Sequence, residues 1–414
     1  MVNLLKNLKL LLVKFAARLF LNDSNLPLYT LPLPKILIYG NMGIGNMVMF
    51  TPFLKALRAH YPQAFITLLV GTNGCEAVVE DSNIIDKIVK MKNSFFSRLR
   101  TILQLRRDRY DMLVSSFHGS SFYYVTMFLN VERRLGHVSG PDWDNKYDFL
   151  YNIKVQMAEN EHEIDRGLRL AQAMNIDIPD RQPFFYLSED HLPFGEKFLQ
   201  DNQLQEDDLL IAVQADTWRA QQWKRWNPRH LARVCDFLVE KVQAKIIIFG
   251  APGHQDELDE FLAYLSNDPV IALGKTTLKQ SAALLKKCDL AICNDSGLMH
   301  ISAALGVPTV AIYGPTDFNR TSLLRYGPNN ALVRKNVHCA PCFRMHGVET
   351  VLNCSDRICL NTITVEDVMS ACEKMLVDTG ALSIGKVRVV TSDELKPDKK
   401  YTRKNGKQFS DISI

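Results

Sequence analysis

The sequence predicts an α/β protein built from two doubly wound parallel-sheet domains, and three observations carry that expectation. At 414 residues the chain exceeds the roughly 250–300 residues at which a single hydrophobic core stops growing. Short apolar runs ending in glycine or a polar turn alternate with helical patterns, as buried strands joined by crossover helices do. The alternation comes in two series, one from residue 35 and one from residue 209, with a proline-rich, acidic stretch between them.

The chain opens with an amphipathic segment, residues 1–26, in which Leu4, Leu5, Leu8, Leu11, Leu12, Phe15 and Leu19 recur at helical spacing opposite Lys6 and Lys9. A helix of this kind lies in the surface of an anionic membrane or docks on the protein's own core. A secretory signal fits less well, because Lys14 interrupts the apolar centre. Pro27, Pro32 and Pro34 end the segment.

The first domain is placed at 35–185. KILIYG (35–40) reads as a buried strand, Val48 to His60 as a helix and FITLLVG (65–71) as the next strand. IIDKIVKM (84–91), a basic helix around Leu99 to Arg107, and DMLVSSFHG (111–119) follow. Residues 155–205, with a helix carrying His162, Asp165 and Leu168 and then Pro179, Pro183 and Pro193, read as the connection between domains. The second domain, 205–380, repeats the pattern: LLIAVQA (209–215), a helix from Pro228 to Lys241, AKIIIFG (244–250), a helix through Leu265 and PVIALG (269–274). A helix from Leu278, LAICND (290–295), a helix from Leu298 and TVAIYG (309–314) complete it. Residues 384–414 form a polar, basic tail with too few apolar positions to fold.

Composition narrows the function. Hydrophobic residues at 47% and charged residues at 23% are a globular balance. A net charge of +4 with no dense basic block argues against nucleic acid as a partner. No uninterrupted apolar run is long enough to span a bilayer. Nine cysteines, four of them between 339 and 359, fit a reduced, cytoplasmic setting.

Candidate chemistry falls where strands end and helices begin. Gly40 to Asn46 contains Gly43 and Gly45, which let backbone approach a ligand, and free N–H groups at a helix start favour an anion. A dinucleotide fingerprint would need glycine at position 48, which is Val48. Asn294-Asp295-Ser296-Gly297-Leu298-Met299-His300 brings together a carboxylate for sugar hydroxyls, a capping or donating hydroxyl, a close-approach glycine and an imidazole. The helix beginning there could face a diphosphate. Thr316 and Asp317 follow the next strand on the same edge. Lys224, between Trp223 and Trp226, offers a compact charge to a departing phosphate oxygen, or is a solvent-facing lysine flanked by packing tryptophans. Cys339, Cys342, Cys354 and Cys359 are either a structural zinc set or reduced, locally packed thiols.

Three stretches together resemble glycosyltransferase family 9, the lipopolysaccharide heptosyltransferases: residues 35–71, WKRWNP with IIIFGAPGHQDE, and LLKKCDLAICNDSGLMHISAALGVPTVAIYGPTD followed by CAPCF. The likeness spans roughly residues 35–375. It implies a GT-B fold, two Rossmann-like domains facing a central cleft, with inverting transfer and no catalytic metal or other cofactor. It places Asp295, Ser296, Gly297, His300 and Thr316 on the donor's sugar and diphosphate, Lys224 beside the donor, and Asp256 or Glu257 on the nucleotide's ribose. Gly43, Gly45 and Asn46 fall on the acceptor side. The family carries an aspartate where this chain has Asn46, and an amide is no general base near neutral pH. His118, then Asp142 and Asp144, are the substitutes considered.

The expected activity is transfer of a sugar, heptose from ADP-heptose first, to a lipopolysaccharide core or related lipid-linked glycan. The expected place is the inner face of the cytoplasmic membrane, held there through the N-terminal helix. Two rivals remain open: a non-catalytic nucleotide-sugar-binding protein, motivated by Asn46, and a GT-B nucleotide-sugar epimerase.

Overall fold

The computed structural model describes residues 33–115, 122–139, 147–343 and 354–382, together with 10, 11, 13–15, 17 and 21 near the N-terminus. The proposed tail at 384–414 lies outside the described residues, as do His118, Asp142 and Asp144.

The chain forms two compact units, one of residues 1–190 joined by 317–326, the other of 191–316, 327–342 and the C-terminal part. Each holds a six-stranded sheet. In the first unit, β1 (Lys35–Tyr39), β2 (Phe65–Val70), β3 (Lys87–Lys90), β4 (Met112–Ser115), β5 (Arg133–Val138) and β6 (Ile153–Gln156) lie in the order β3-β2-β1-β4-β5-β6. In the second, β7 (Leu210–Gln214), β8 (Lys245–Phe249), β9 (Val270–Ile271), β10 (Leu290–Asn294), β11 (Thr309–Ile312) and β12 (Asn330–Val333) lie in the order β12-β11-β10-β7-β8-β9. Every pairing is parallel. Counted from its own first strand, each sheet has the doubly wound order 3-2-1-4-5-6, whose direction reverses beside the first strand, the place where ligands of such sheets bind.

The helices are α1 (Ile44–His60), α2 (Phe95–Asp108), α3 (Phe122–Leu129) and α4 (Glu163–Ala173) in the first unit. In the second are α5 (Leu192–Asp201), α6 (Pro228–Val242), α7 (Gln255–Leu262), α8 (Leu278–Leu285), α9 (Gly297–Ala304) and α10 (Val365–Asp378). Helix starts follow sequence rules: Asn227 accepts from Arg229 N ahead of Pro228, and Thr277 with Gln280 closes a capping box on α8. Helices cover both faces of the central strands, so Ile36, Leu37, Ile38 and Tyr39 of β1 are all fully buried.

Residues 155–205 begin with the end of β6 and hold the helix expected around His162, Asp165 and Leu168; this helix, α4, packs against α1 inside the first unit, and the chain passes to the second unit after Asp190. Close packing rests on Gly167: a side chain there would meet the Phe50 ring at 3.1 Å. Glu163 also bridges Arg166 (2.8 Å) and Arg320 (2.7 Å), tying segment 317–326 to the same unit.

In the N-terminal segment, Val13 and Ala17 are buried in a core cluster with Leu37, Leu69 and Leu113, while Leu11 and Phe15 are exposed. Docking on the protein's own core and an outward apolar face therefore coexist. Among the described residues no helix is long and apolar enough to cross a membrane.

Candidate functional site

At the carboxyl edge of the second sheet, the ends of β7 and β10 are tied together by one side chain. Asn294, the last residue of β10, accepts from Trp226 N (2.9 Å) and donates through Nδ2 to the carbonyls of Gln214 (3.3 Å) and Asp216 (3.4 Å). Three backbone segments that start far apart in sequence are thereby fixed at the point where the strand order reverses.

Asp295 and Lys224 meet on this frame. Lys224 closes a 3-10 turn, Arg219–Lys224, and its Nζ lies 2.9 Å from Asp295 Oδ2, both side chains nearly enclosed. Trp223's ring centre is 5.5 Å from the ammonium. The next residue, Arg225, braces the turn by donating to the carbonyls of Ala215 (2.9 Å) and Glu257 (3.0 Å) and pairing with Glu260 (2.5 Å). Lys224 is therefore not solvent-facing. Burial by itself would push the Asp295 carboxyl up. The Lys224 charge, the Thr316 hydroxyl and His300 outweigh burial and hold it below the ordinary carboxylate range.

Ser296 precedes α9 but does not cap it; its hydroxyl instead donates to Gln214 Oε1 (2.5 Å). Gly297 is the first residue of α9, and His300, one turn in, is buried. Gln214 in turn donates to Asp216 Oδ1 (3.2 Å), and Asp216 Oδ2 accepts from Ala251 N (3.2 Å) and lies 3.4 Å from His254 Nδ1. That approach requires glycine at 250, where a Cβ would stand 2.9 Å from the Asp216 carboxylate. His254 Nδ1 is 3.8 Å from Glu257 Oε1, which accepts from Gln222 (2.6 Å). Burial raises the Asp216 carboxyl, against the pull of His254, Ala251 N–H and Gln214.

A continuous polar chain thus runs from Glu257 through His254, Asp216 and Gln214 to Ser296, beside Asp295, Lys224, Thr316 and His300. Sequence reasoning missed Gln214, Asp216 and His254. The available signal was position: Asp216 follows β7 as Asp295 follows β10. Of the two acidic candidates on α7, Glu257 joins the cluster and Asp256 is exposed. Asp317 does not join it, because its carboxylate caps the short helix Phe318–Thr321 by accepting from Asn319 N (3.1 Å) in the segment that belongs to the first unit.

In the first unit, the turn after β1 is pinned by Cys75 Sγ donating to Gly40 O (3.5 Å) and Asn73 Nδ2 to Met42 O (2.5 Å). Gly43 precedes α1 with open space where a side chain would stand, Gly45 is in the first turn, and Asn46 is half-buried there.

Cys339 is exposed, Cys342 and Cys354 are half-exposed, and Cys359 is buried. Burial, then the neighbouring Cys342, Cys339 and Cys354, push the Cys359 thiol up to about 11. Among the described residues no three His, Cys, Asp or Glu are grouped to hold a metal ion.

The profile of the family described as Glycosyltransferase family 9 (heptosyltransferase) matches residues 98–352. Lipopolysaccharide heptosyltransferase 2 of Salmonella typhimurium is 28% identical over 310 residues, covering 68% of this chain and 83% of that protein. The glycosyl transferase family 9 structure from Veillonella parvula superposes with a TM-score of 0.70 at 21% identity, covering 86% of this chain and all of the other (100%). E. coli ADP-heptose lps heptosyltransferase II does so with a TM-score of 0.67 at 22% identity, covering 84% and 99%. The fold of this chain is GT-B.

Proposed function

The chain belongs to glycosyltransferase family 9, and from that premise we propose that it transfers heptose from ADP-heptose, with inversion at the anomeric carbon, to a lipopolysaccharide core or related lipid-linked glycan. The names of its Salmonella and E. coli relatives support the sugar, the nucleotide and the acceptor class. The observation that carries the reading is the enclosed Lys224–Asp295 pair beside the start of α9, where Ser296 is drawn away to Gln214 and does not cap the helix. An uncapped helix start favours a diphosphate through its N–H groups and dipole. Lys224 has three N–H donors, enough to hold Asp295 and a phosphate oxygen together.

In this reading the acceptor hydroxyl attacks the anomeric carbon, its C–O bond to phosphate breaks, and ADP departs with the electron pair. Lys224 and the α9 N–H groups meet the growing charge, so the positive charge comes from the protein itself and no catalytic metal is needed. Asp295 and His300 bind sugar hydroxyls, and Glu257 binds the ribose. Asn46 orients the acceptor hydroxyl, and its proton goes to another base. The enzyme works at the inner face of the cytoplasmic membrane, with the N-terminal segment against the lipid surface.

Mixing the protein with ADP-heptose and a core acceptor lacking the terminal heptose, and following ADP release, tests this. Acceptor-dependent release is the expected result. Conversion of donor without acceptor would mean the epimerase, and tight binding with no turnover would mean the binding protein that Asn46 first raised.

A further inference from the structure

On one face of the first sheet, the N-terminal segment, α2 and α3 share a core cluster through Val13 and Ala17, Ile102 and Leu105, and Val125 and Leu129. The outward side of α2 is also apolar. Phe95 is 72% exposed, Phe96 81%, Leu99 40% and Leu103 51%. Phe95, Leu99 and Leu103 fall in one i, i+4, i+8 row, and Phe96 stands beside it with its ring edge-on to Phe95 at 5.7 Å. Isolated exposed apolar residues are ordinary, but a contiguous row on one helix marks an interaction face.

The charge around the row identifies the partner. Arg98, Arg100, Arg106 and Arg107 lie on α2, with Lys92 before it and Arg109 after. The helix's single acidic residue, Asp108, is held by Lys87 at 2.7 Å. We propose that the outward face of α2 is a docking surface for an anionic lipid bilayer, with Phe95, Phe96, Leu99 and Leu103 entering the headgroup boundary and the arginines pairing with lipid phosphates. Aromatic and leucine side chains rimmed by long cations suit that boundary. Face-to-face docking with a second copy would set one arginine rim against another. Leu11 and Phe15 of the N-terminal segment and Phe128 of α3, elements that share the core cluster with α2, are exposed as well. The proposal goes beyond the sugar-transfer reading and would stand if the acceptor were water-soluble.

The test is co-sedimentation of the full chain with vesicles of phosphatidylcholine containing phosphatidylglycerol, compared with phosphatidylcholine alone, with no glycolipid present. Phe95→Ser/Phe96→Ser should weaken partitioning by at least about tenfold. Arg100→Glu/Arg107→Glu should weaken it by about fivefold or more per site on the anionic vesicles only. Phe96→Trp should bind like the native chain and gain emission that brominated lipids quench. Native-level binding by both double variants, or no added quenching, would overturn the proposal. So would a native dimer on gel filtration that the phenylalanine variant dissolves, or a lowered melting temperature in that variant, since these assign the face to a second copy or to the fold.

Discussion

Replacing Asp295 by alanine removes an ion-pair partner, 2.9 Å away, from an ammonium that is itself nearly enclosed, with side-chain exposures of 11% for Lys224 and 5% for Asp295. Breaking a buried pair on one side leaves an uncompensated charge and costs about 3–5 kcal/mol. Lys224→Met should lie toward the lower end of that range, because Thr316 and His300 still act on the Asp295 carboxylate. The double variant leaves neither charge stranded, so its cost should fall short of the sum by about 1.5–3 kcal/mol. Urea unfolding followed by tryptophan fluorescence suits the assay, since Trp218, Trp223 and Trp226 all report on the second unit. Single costs that add to within about 0.5 kcal/mol would refute the coupling and the description of the pair as buried and mutually dependent.

The same carboxylate gives a pH signature. Its folded-state affinity for a proton is depressed, so its stabilisation is full above the ordinary carboxylate value of about 3.9 and is lost as pH falls through the folded value. The melting-temperature difference between native and Asp295→Asn should therefore shrink in acid below about pH 4; a difference that grows there would reverse the sign. If Asn46 only orients a hydroxyl, Asn46→Ala should lower kcat/KM by about tenfold or less, the worth of one hydrogen bond. A loss above about a thousandfold would make Asn46 central to proton transfer. Brief alkylation near pH 8 should label Cys339 first and spare Cys359, as mass spectrometry of the peptides would show.

The strands were legible because a parallel sheet covered on both faces needs continuous apolar runs, as in KILIY and LAICN. PVIALG yields only Val270–Ile271, at the sheet edge, before Gly274 turns with φ 72°. Helix α4 was legible around His162, Asp165 and Leu168, but its packing was not: it docks on α1 through Gly167, where Phe50 needs the space, and nothing local to an acidic, proline-flanked stretch announces that contact. In the site, Asp295, Ser296 and His300 share one strand-to-helix turn, and Lys224 stands with Arg225 between two tryptophans. The contact of His254 with Asp216 spans two different turns, and no local pattern announces it. Asp256 and Glu257 are neighbours in sequence, and only the helix phase separates the exposed one from the buried one.

Hydrogen exchange with and without ADP addresses the central claim, that the donor's diphosphate sits on the carboxyl edge of the second sheet. Slowed exchange at the start of α9, around Ala215 to Lys224 and around Ala251 to Glu257 is the predicted result. Bound ADP with protection confined to other segments would contradict it.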